Sequence, residues 1–266
     1  MLEVLKQQIS GDMSSQQKIN KVREFLQIML LKNLYDQKAF DNIAFTGGTA
    51  LRIVFDINRY SEDLDFSLIK KSGYNFEKIN NNIVKFFNQN AIEIEANPKT
   101  NNIVHQTLIK FPNILQELNL AVMKTQKLSI KIEVDANPPK GWKTNNFAIN
   151  KIYLLSIKTF DLPSMFATKL HACFFRKYTK GRDFYDLVWY LSKKVKLNFT
   201  LLNNAIIQTE KKDLTLSESN LKSFISDNLD KINFKTAQKD ISRFLFINDE
   251  LKFISKDFIK SLLLTY

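Results

Sequence analysis

The stretch covering residues 45–66 constrains the fold of this chain most, because two adjacent glycines are followed closely by two paired aspartates. Gly47 and Gly48 come after a short apolar run, and glycine lets a backbone turn sharply and approach a ligand closely. Thr49 suits a cap or first-turn position of a helix. The exposed amides at such a helix N-terminus favour phosphate. The order predicts a strand, a tight turn, a short helix and a second strand.

The second of these strands carries Asp63 and Asp65 two positions apart, so their carboxylates point to the same face. Leu64 and Phe66 then face the core. Two like charges so close together are costly unless a cation neutralises them. Carboxylate oxygens suit Mg²⁺, which usually also binds oxygens of a substrate phosphate. We therefore expect a phosphate site beside a metal site; the alternative is an ordinary turn and an exposed strand edge.

A second group of charged residues lies at 169–187, where five basic residues precede an acidic pair. Lys169 and Arg176 are seven positions apart and share one face of a helix. Asp183 and Asp186, three apart, also share a face. A lysine on triphosphate oxygens would neutralise charge on a leaving pyrophosphate, and an aspartate nearby could orient it. The alternative is a salt-bridged helical hairpin on the surface. The five basic residues are Lys169, Arg176, Lys177, Lys180 and Arg182.

Together these stretches resemble the nucleotidyltransferase toxins of the AbiEii type, within the DNA polymerase β-like nucleotidyltransferase superfamily. The similarity rests on Gly-Gly-Thr-Ala-Leu-Arg at 47–52 and Ser-Glu-Asp-Leu-Asp-Phe at 61–66. It continues with Lys-Leu-His-Ala at 169–172, Arg176, and Lys-Gly-Arg-Asp-Phe-Tyr-Asp-Leu at 180–187. One departure matters. Many polymerase β-like enzymes have Gly-Ser at the turn, so here Thr49 must supply any hydroxyl contact to phosphate.

The resemblance implies a role for each of these residues and adds a third carboxylate from a later strand. Residues 128–135 alternate between apolar and polar, which predicts a strand with a polar face. Glu133 is the first choice for the third metal ligand beside Asp63 and Asp65, and Asp135 the second; a solvated strand face is the alternative. The implied catalytic residues are Asp63, Asp65, Glu133, Lys169 and Asp186. The implied nucleotide-binding residues are Gly47, Gly48, Thr49, Arg52, Arg176, Arg182 and Asp183.

The function implied by the resemblance is a Mg²⁺- or Mn²⁺-dependent transfer of an NMP from an NTP to an acceptor hydroxyl. The favoured acceptor is the 3′ end of tRNA, with protein nucleotidylation as the alternative. The resemblance also implies the toxin of a toxin–antitoxin pair, with a cognate antitoxin protein as partner. Two other functions stay open: a catalytically degenerate nucleic-acid- or partner-binding protein on the same fold, and a metal-dependent nuclease. Glu133 is not followed by x-Lys, so the common nuclease Glu-x-Lys pairing is missing there.

Hydrophobic periodicity predicts an α+β protein with two domains. Residues 1–155 are expected to form a mixed β-sheet with flanking helices, and residues 156–266 a helical bundle. The resemblance implies that the first is a nucleotidyltransferase domain and that the bundle contributes Lys169 and Asp186 to the site. Helices are predicted over 1–40 and 76–90. Strands are predicted at 42–46, 92–95, 103–111 and 128–135, and the pattern turns wholly helical from about residue 155.

Charge and composition indicate which kinds of partner and which cellular compartment to expect. The net charge of +12 favours a polyanion such as nucleic acid. The excess is greatest in residues 151–266, where 20 Lys and Arg face 12 Asp and Glu, so this half is the favoured RNA-docking surface. The six glycines build no Walker loop or dinucleotide fingerprint. With one cysteine, no leader segment and no bilayer-spanning stretch, we expect a cytoplasmic protein with no membrane partner.

Overall fold

The chain adopts an α+β fold in a computed structural model that describes residues 2–9, 11–101, 103–121, 123, 125–211 and 214–266. It divides into two units. The first comprises Met1–Pro138 with Asn146–Thr159, and the second comprises Pro139–Asn145 with Phe160–Tyr266. The functional division predicted at residue 155 stays a prediction, and Met1 and Ser10 of the predicted helical segment lie outside the described residues.

The secondary structure of the described residues consists of strands and helices in the following order. The strands are Ile43–Thr46 (β1), Leu64–Leu68 (β2), Glu95–Thr100 (β3), Val104–Phe111 (β4), Leu128–Asp135 (β5), Thr144–Asn150 (β6) and Leu154–Phe160 (β7). The helices are Leu2–Gln8 (α1), Ser15–Asp36 (α2), Gly47–Val54 (α3), Phe76–Gln89 (α4), Ile114–Glu117 (α5), Leu162–Phe175 (α6), Gly181–Ser192 (α7), Phe199–Glu210 (α8), Glu218–Leu229 (α9), Phe234–Ile241 (α10) and Lys256–Thr265 (α11). Short 3₁₀ turns lie at Ala39–Asp41, Ser242–Phe244 and Asn248–Phe253.

The seven strands form one mixed sheet in the order β3-β4-β5-β2-β1-β7-β6. Strand β1 pairs antiparallel with β2 and parallel with β7, whereas β2 pairs parallel with β5. The registers place Thr46 opposite Asp65, and Asp65 opposite Glu133. The end of β1, which leads into the glycine turn, therefore lies beside the aspartate strand, and the aspartate strand lies beside the strand that carries Glu133. The α+β class with a mixed sheet is confirmed.

The core of the first unit follows the alternation that the sequence predicts for β5. Leu128, Ile130, Ile132 and Val134 are at most 1% exposed, while the residues between them are partly exposed. Burying each such side chain contributes about 1.5–3 kcal/mol. Helix α2 packs near β5 and against α4, so it covers the apolar face of the sheet. The polar residues of β5 are thereby left on the opposite face.

The sequence-based prediction is wrong for two parts of the sheet. The strand predicted at 92–95 instead begins at Glu95 and contains Pro98. Proline lacks the N–H that pairs with a neighbouring strand, and β3 tolerates it because β3 lies at the edge of the sheet. The helical pattern predicted from residue 155 begins later, since β7 continues to Phe160 and pairs with β1. That pairing joins residues more than a hundred positions apart, and a local pattern carries no sign of it.

The second unit is helical after β7, and several of its helices, α6, α8, α10 and α11, begin at a residue whose side chain caps the first turn. Asp161 caps α6 by accepting a hydrogen bond from the Ser164 amide at 2.9 Å, and Pro163 occupies the first turn. Helix α6 packs on α7 and α8, and α7 on α10 and α11. The predicted bundle arrangement stays a prediction. Among the described residues, no helix has the length and apolar character needed to cross a bilayer.

Replacing Gly181 by alanine is expected to destabilise this unit, because Gly181 begins α7 directly against the backbone of α10. An added Cβ would lie 2.7 Å from the Ala237 carbonyl carbon, and backbone cannot move aside cheaply. We expect Gly181→Ala to lower the free energy of unfolding by about 1–3 kcal/mol, measured as a shift of the urea midpoint. Ser192→Ala at the exposed end of the same helix is the control, expected within about 0.5 kcal/mol. Equal midpoints for both variants would contradict the close approach.

Candidate active site

The first glycine of the turn, Gly47, lies directly against the aspartate strand. Gly47 is the first residue of α3, and its φ of +73° lies in the left-handed region that favours glycine. A Cβ on Gly47 would lie 2.9 Å from the Asp65 Cβ and 3.0 Å from its Cγ. Backbone geometry and lack of space therefore both require glycine, and the start of α3 lies directly against the Asp65 side chain.

The second glycine packs against a buried cation. A Cβ on Gly48 would lie 2.6 Å from the Arg59 Nη2 and 3.1 Å from the Ser61 Oγ. Arg59 is only 1% exposed, and its Nη1 donates to the Tyr60 carbonyl at 3.0 Å. The sequence reasoning missed Arg59 as a component of the site. Its only signal was its place between the glycines and the aspartates, whereas an arginine is normally expected at the surface.

Two threonine hydroxyls tie the turn to the aspartate strand. Thr49 is fully buried, and its hydroxyl donates to the Asp63 carbonyl. The Thr46 hydroxyl donates to the Asp65 carbonyl at 3.3 Å. Thr49 thus has a backbone partner within the protein, and its predicted contact with a phosphate stays a prediction.

The structure places Asp65 on β2 and both Glu133 and Asp135 on β5, whereas Asp63, predicted to lie on the aspartate strand, comes just before β2. Asp65 and Glu133 are register partners on neighbouring parallel strands, and Asp63 precedes Asp65 by two residues. The Glu133 Oε2 lies 2.6 Å from the Lys131 Nζ, an ion pair that the sequence reasoning did not foresee. Burial raises the pKa of Asp135, although a hydrogen bond from the Asn137 amide acts in the opposite direction.

The charges of Asp63 and Asp65 also act on Lys131. Partial burial disfavours its charged form, but the hydrogen bond to Glu133 and the charges of Glu133, Asp63 and Asp65 outweigh that effect. The pKa of Lys131 is therefore raised, and its side chain remains an ammonium ion at neutral pH.

The carboxylate oxygens of this region are the type of ligand that a hard divalent cation prefers. Mg²⁺ in nucleotide sites is commonly held by one or two carboxylates together with substrate phosphates, and Asp63 and Asp65 are such a pair. Within the residues that the structure describes, however, no group of three or more acidic, histidine or cysteine side chains is arranged to hold a metal ion. The third candidate, Glu133, is held by Lys131 instead.

Arg52, predicted to bind nucleotide, is engaged within the first unit. Its Nε donates to the Glu24 Oε2 at 2.6 Å and its Nη1 to the Ile57 carbonyl at 3.0 Å. Its guanidinium also lies 5.9 Å from the centre of the Tyr60 ring. These contacts link α3 to α2, and the predicted contact with nucleotide stays a prediction.

The second unit assembles its predicted residues into a buried ion network between α6 and α7. The Lys169 Nζ lies 2.8 Å from the Asp183 Oδ1 and 2.8 Å from the Asp186 Oδ2. The Arg176 Nη1 lies 2.6 Å from the other oxygen of Asp183. The Asp186 side chain is fully buried and that of Lys169 is 13% exposed, so this network is more than a surface hairpin.

Arg182 lies on the same helix as this network but has a different contact. Its guanidinium carbon lies 4.3 Å from the centre of the Phe244 ring, a cation–π distance. The structure thus places the predicted residues in two groups, one in each unit. The first group is Gly47, Gly48, Thr49, Arg52, Asp63, Asp65, Glu133 and Asp135, and the second is Lys169, Arg176, Arg182, Asp183 and Asp186.

Comparison with known proteins relates both groups to one family. A sequence model of the family described as "Nucleotidyl transferase AbiEii toxin, Type IV TA system" matches residues 29–253, which contain both groups. No curated protein matches the sequence of this chain.

Two crystal structures from Helicobacter pylori have a similar fold. JHP933 is 19% identical, with 92% of this chain and 90% of that chain covered and a TM-score of 0.56. A "putative nucleotidyltransferase" is 20% identical, with 91% and 92% covered and a TM-score of 0.53. At these identities the similarity shows a shared fold.

Removing the Asp186 charge is expected to destabilise the second unit, because Lys169 would lose a buried ion-pair partner. We expect Asp186→Asn to lower the free energy of unfolding by about 3 kcal/mol, measured by urea denaturation. Asp227→Asn, at an exposed position of α9, is the matched control and should change it by less than about 0.5 kcal/mol. An unchanged midpoint for Asp186→Asn would show that the buried network contributes nothing to stability.

Cys173 is expected to be unreactive in the folded protein. Burial, assisted by the Asp183 charge, raises the pKa of its thiol well above the usual range, so the reactive thiolate is scarce at pH 8. A chromogenic disulfide reagent should titrate this single thiol quickly in urea and far more slowly in buffer. Equally fast reaction in both conditions would contradict its burial.

Proposed function

Because the chain belongs to the AbiEii nucleotidyl transferase toxin family, we propose that it is a metal-dependent enzyme that transfers an NMP from an NTP to an acceptor hydroxyl. The observation that carries this proposal is the packing of Gly47 against Asp65, with Glu133 in register beside it. A turn suited to phosphate and oxygen ligands suited to a metal are built together at that point.

We assign the residues of the first unit to the metal and the phosphates. Asp63 and Asp65 would hold Mg²⁺ or Mn²⁺, with Glu133 or Asp135 as the third carboxylate. When bound, the metal supplies Lewis-acid stabilisation of negative charge on the phosphate oxygens. The amides of Gly47 and Gly48 at the start of α3 would bind phosphate oxygens. Thr49, anchored to the Asp63 carbonyl, would keep this turn in place, and a contact of its hydroxyl with a phosphate would require that hydrogen bond to be given up.

The reaction assigned to this site is an in-line displacement. The acceptor hydroxyl oxygen forms a bond to the α-phosphorus, and the bond from the α-phosphorus to the oxygen bridging to the β-phosphate breaks. Pyrophosphate leaves with that electron pair. The hydroxyl proton passes to a carboxylate of β5, for which Glu133 is the first choice and Asp135 the second.

We assign Lys169 to the triphosphate, following the pattern of the family. The buried oxygens of Asp183 and Asp186 support this role, because they restrict where the ammonium group points. Arg176, Arg182 and Arg52 would add positive charge toward the nucleotide. In this proposal residues 156–266 act as a helical bundle domain that contributes Lys169 and Asp186 to the reaction.

We propose that the acceptor is the 3′ end of tRNA. We also propose that the protein acts in the cytoplasm. The larger basic excess of residues 151–266 supports docking of RNA, since lysine and arginine release counterions from phosphates. The family description names a toxin of a Type IV toxin–antitoxin system, which supports a cognate antitoxin protein as the partner.

The test is incubation of the purified protein with Mg²⁺, total tRNA and each labelled NTP in turn, with two variants alongside. We expect one nucleotide to label tRNA, and Asp65→Asn to reduce the labelling at least about 100-fold, because a metal ligand and its charge are lost. Asp41→Asn, at an exposed position outside the site, should label like the wild type. EDTA should abolish labelling in every form.

The other outcomes distinguish the alternatives. Label on protein would keep the transferase and change the acceptor. RNA cleavage without added nucleotide would favour a nuclease. A cellular effect that survives both Asp63→Ala and Asp65→Ala would show that the chain acts by binding and not by catalysis.

A further inference from the structure

The ion pair between Lys131 and Glu133 lies where a third metal ligand is expected. Residues two apart on a strand share a face, so Lys131 and Glu133 both point to the polar side of β5. The register then places Glu133 next to Asp65. The 2.6 Å contact shows that the Glu133 carboxylate already has a cation as its partner, and that cation belongs to the chain.

The surroundings of Lys131 are strongly acidic. Glu133, Asp63 and Asp65 all act electrostatically on its ammonium group, and Asp135 lies on the same strand face. Like charges a few ångströms apart repel one another, and they do so more strongly where water is partly excluded. A cation among these carboxylates lowers that repulsion in the protein before any metal binds.

We propose that Lys131 is a resident counterion that holds Glu133 and competes with the divalent metal for it. This inference rests on the proposed function, since it presumes that Asp63 and Asp65 bind a metal. Lys131 acts through Glu133 and is therefore a positioning residue. It keeps the metal-free protein stable, and it makes recruitment of Glu133 to the metal depend on loss of the ion pair.

A second lysine–glutamate pair on the same sheet provides a matched control. The Lys127 Nζ lies 2.5 Å from the Glu95 Oε1, and both side chains are about as exposed as Lys131 and Glu133. Glu95 belongs to β3, which β4 and β5 separate from the aspartate strand β2. Loss of this pair removes the same charge from the protein without changing the partner of Glu133.

The experiment is calorimetric titration of Mn²⁺ into wild type, Lys131→Met, Lys131→Arg and Lys127→Met, without nucleotide. We expect Lys131→Met to bind Mn²⁺ at least about threefold more tightly, because one competing positive charge is removed from the site. Lys131→Arg and Lys127→Met should stay within about twofold of wild type. In a Glu133→Gln background the gain from Lys131→Met should disappear, since the carboxylate for which the two cations compete is then absent.

Thermal unfolding supplies a second readout. Without metal, Lys131→Met should melt at a lower temperature than wild type, and Mn²⁺ should raise its melting temperature by more than it raises that of wild type. A purely structural lysine would lower the melting temperature equally with and without Mn²⁺, and that outcome would overturn the proposal.

The remaining outcomes separate this inference from the proposed function. Mn²⁺ binding that is equal or weaker in Lys131→Met would overturn the role of Lys131 and leave the metal site intact. Absence of Mn²⁺ binding in every form, or binding that survives Asp65→Asn, would overturn the metal site assigned to Asp63 and Asp65, and this inference with it.

Discussion

The packing of the glycine turn against the aspartate strand is the contact on which the first unit depends. Gly47 can lie against Asp65 only because β1 and β2 are paired in a register that sets Thr46 opposite Asp65. The same strand then sets Asp65 opposite Glu133. Two backbone registers thus bring a helix N-terminus and two carboxylates to one place, and threonine hydroxyls from the turn hold the aspartate backbone.

Charge neutralisation inside each unit is the second constraint. Arg59 is buried behind the turn, Lys131 holds Glu133 on the polar strand face, and Lys169 is enclosed by Asp183 and Asp186. Buried or crowded charges are costly without partners, so Lys131 and Lys169 are each stabilised by the carboxylates beside them. In the proposed enzyme these charges would serve nucleotide and metal without a large rearrangement of the surrounding backbone, since helices and paired strands carry them.

Much of the fold and of the candidate site could be predicted from local pattern. The alternation of residues 128–135, the glycine turn and the cap at Asp161 each specify their own element, because period, backbone freedom and capping are properties of neighbouring residues. Strand β7 could not be predicted in this way, because its pairing with β1 is a contact between distant parts of the chain. The roles of Arg59 and Lys131 in the site were missed for a similar reason, because charged residues are expected at the surface until their partners are known.

The sequence by itself determined the family, the two groups of candidate residues, and the alternation that separates core from polar face. These depend on residue type and spacing, which the amino-acid sequence contains in full without any knowledge of the fold. Only the tertiary structure decided that Gly47 must lack a side chain because of Asp65, and that Glu133 faces Asp65 across a parallel pair. It alone paired Glu133 with Lys131 and enclosed Lys169 between two aspartates. Each of these follows from strand register or helix packing, which place residues distant in sequence within a few ångströms of one another.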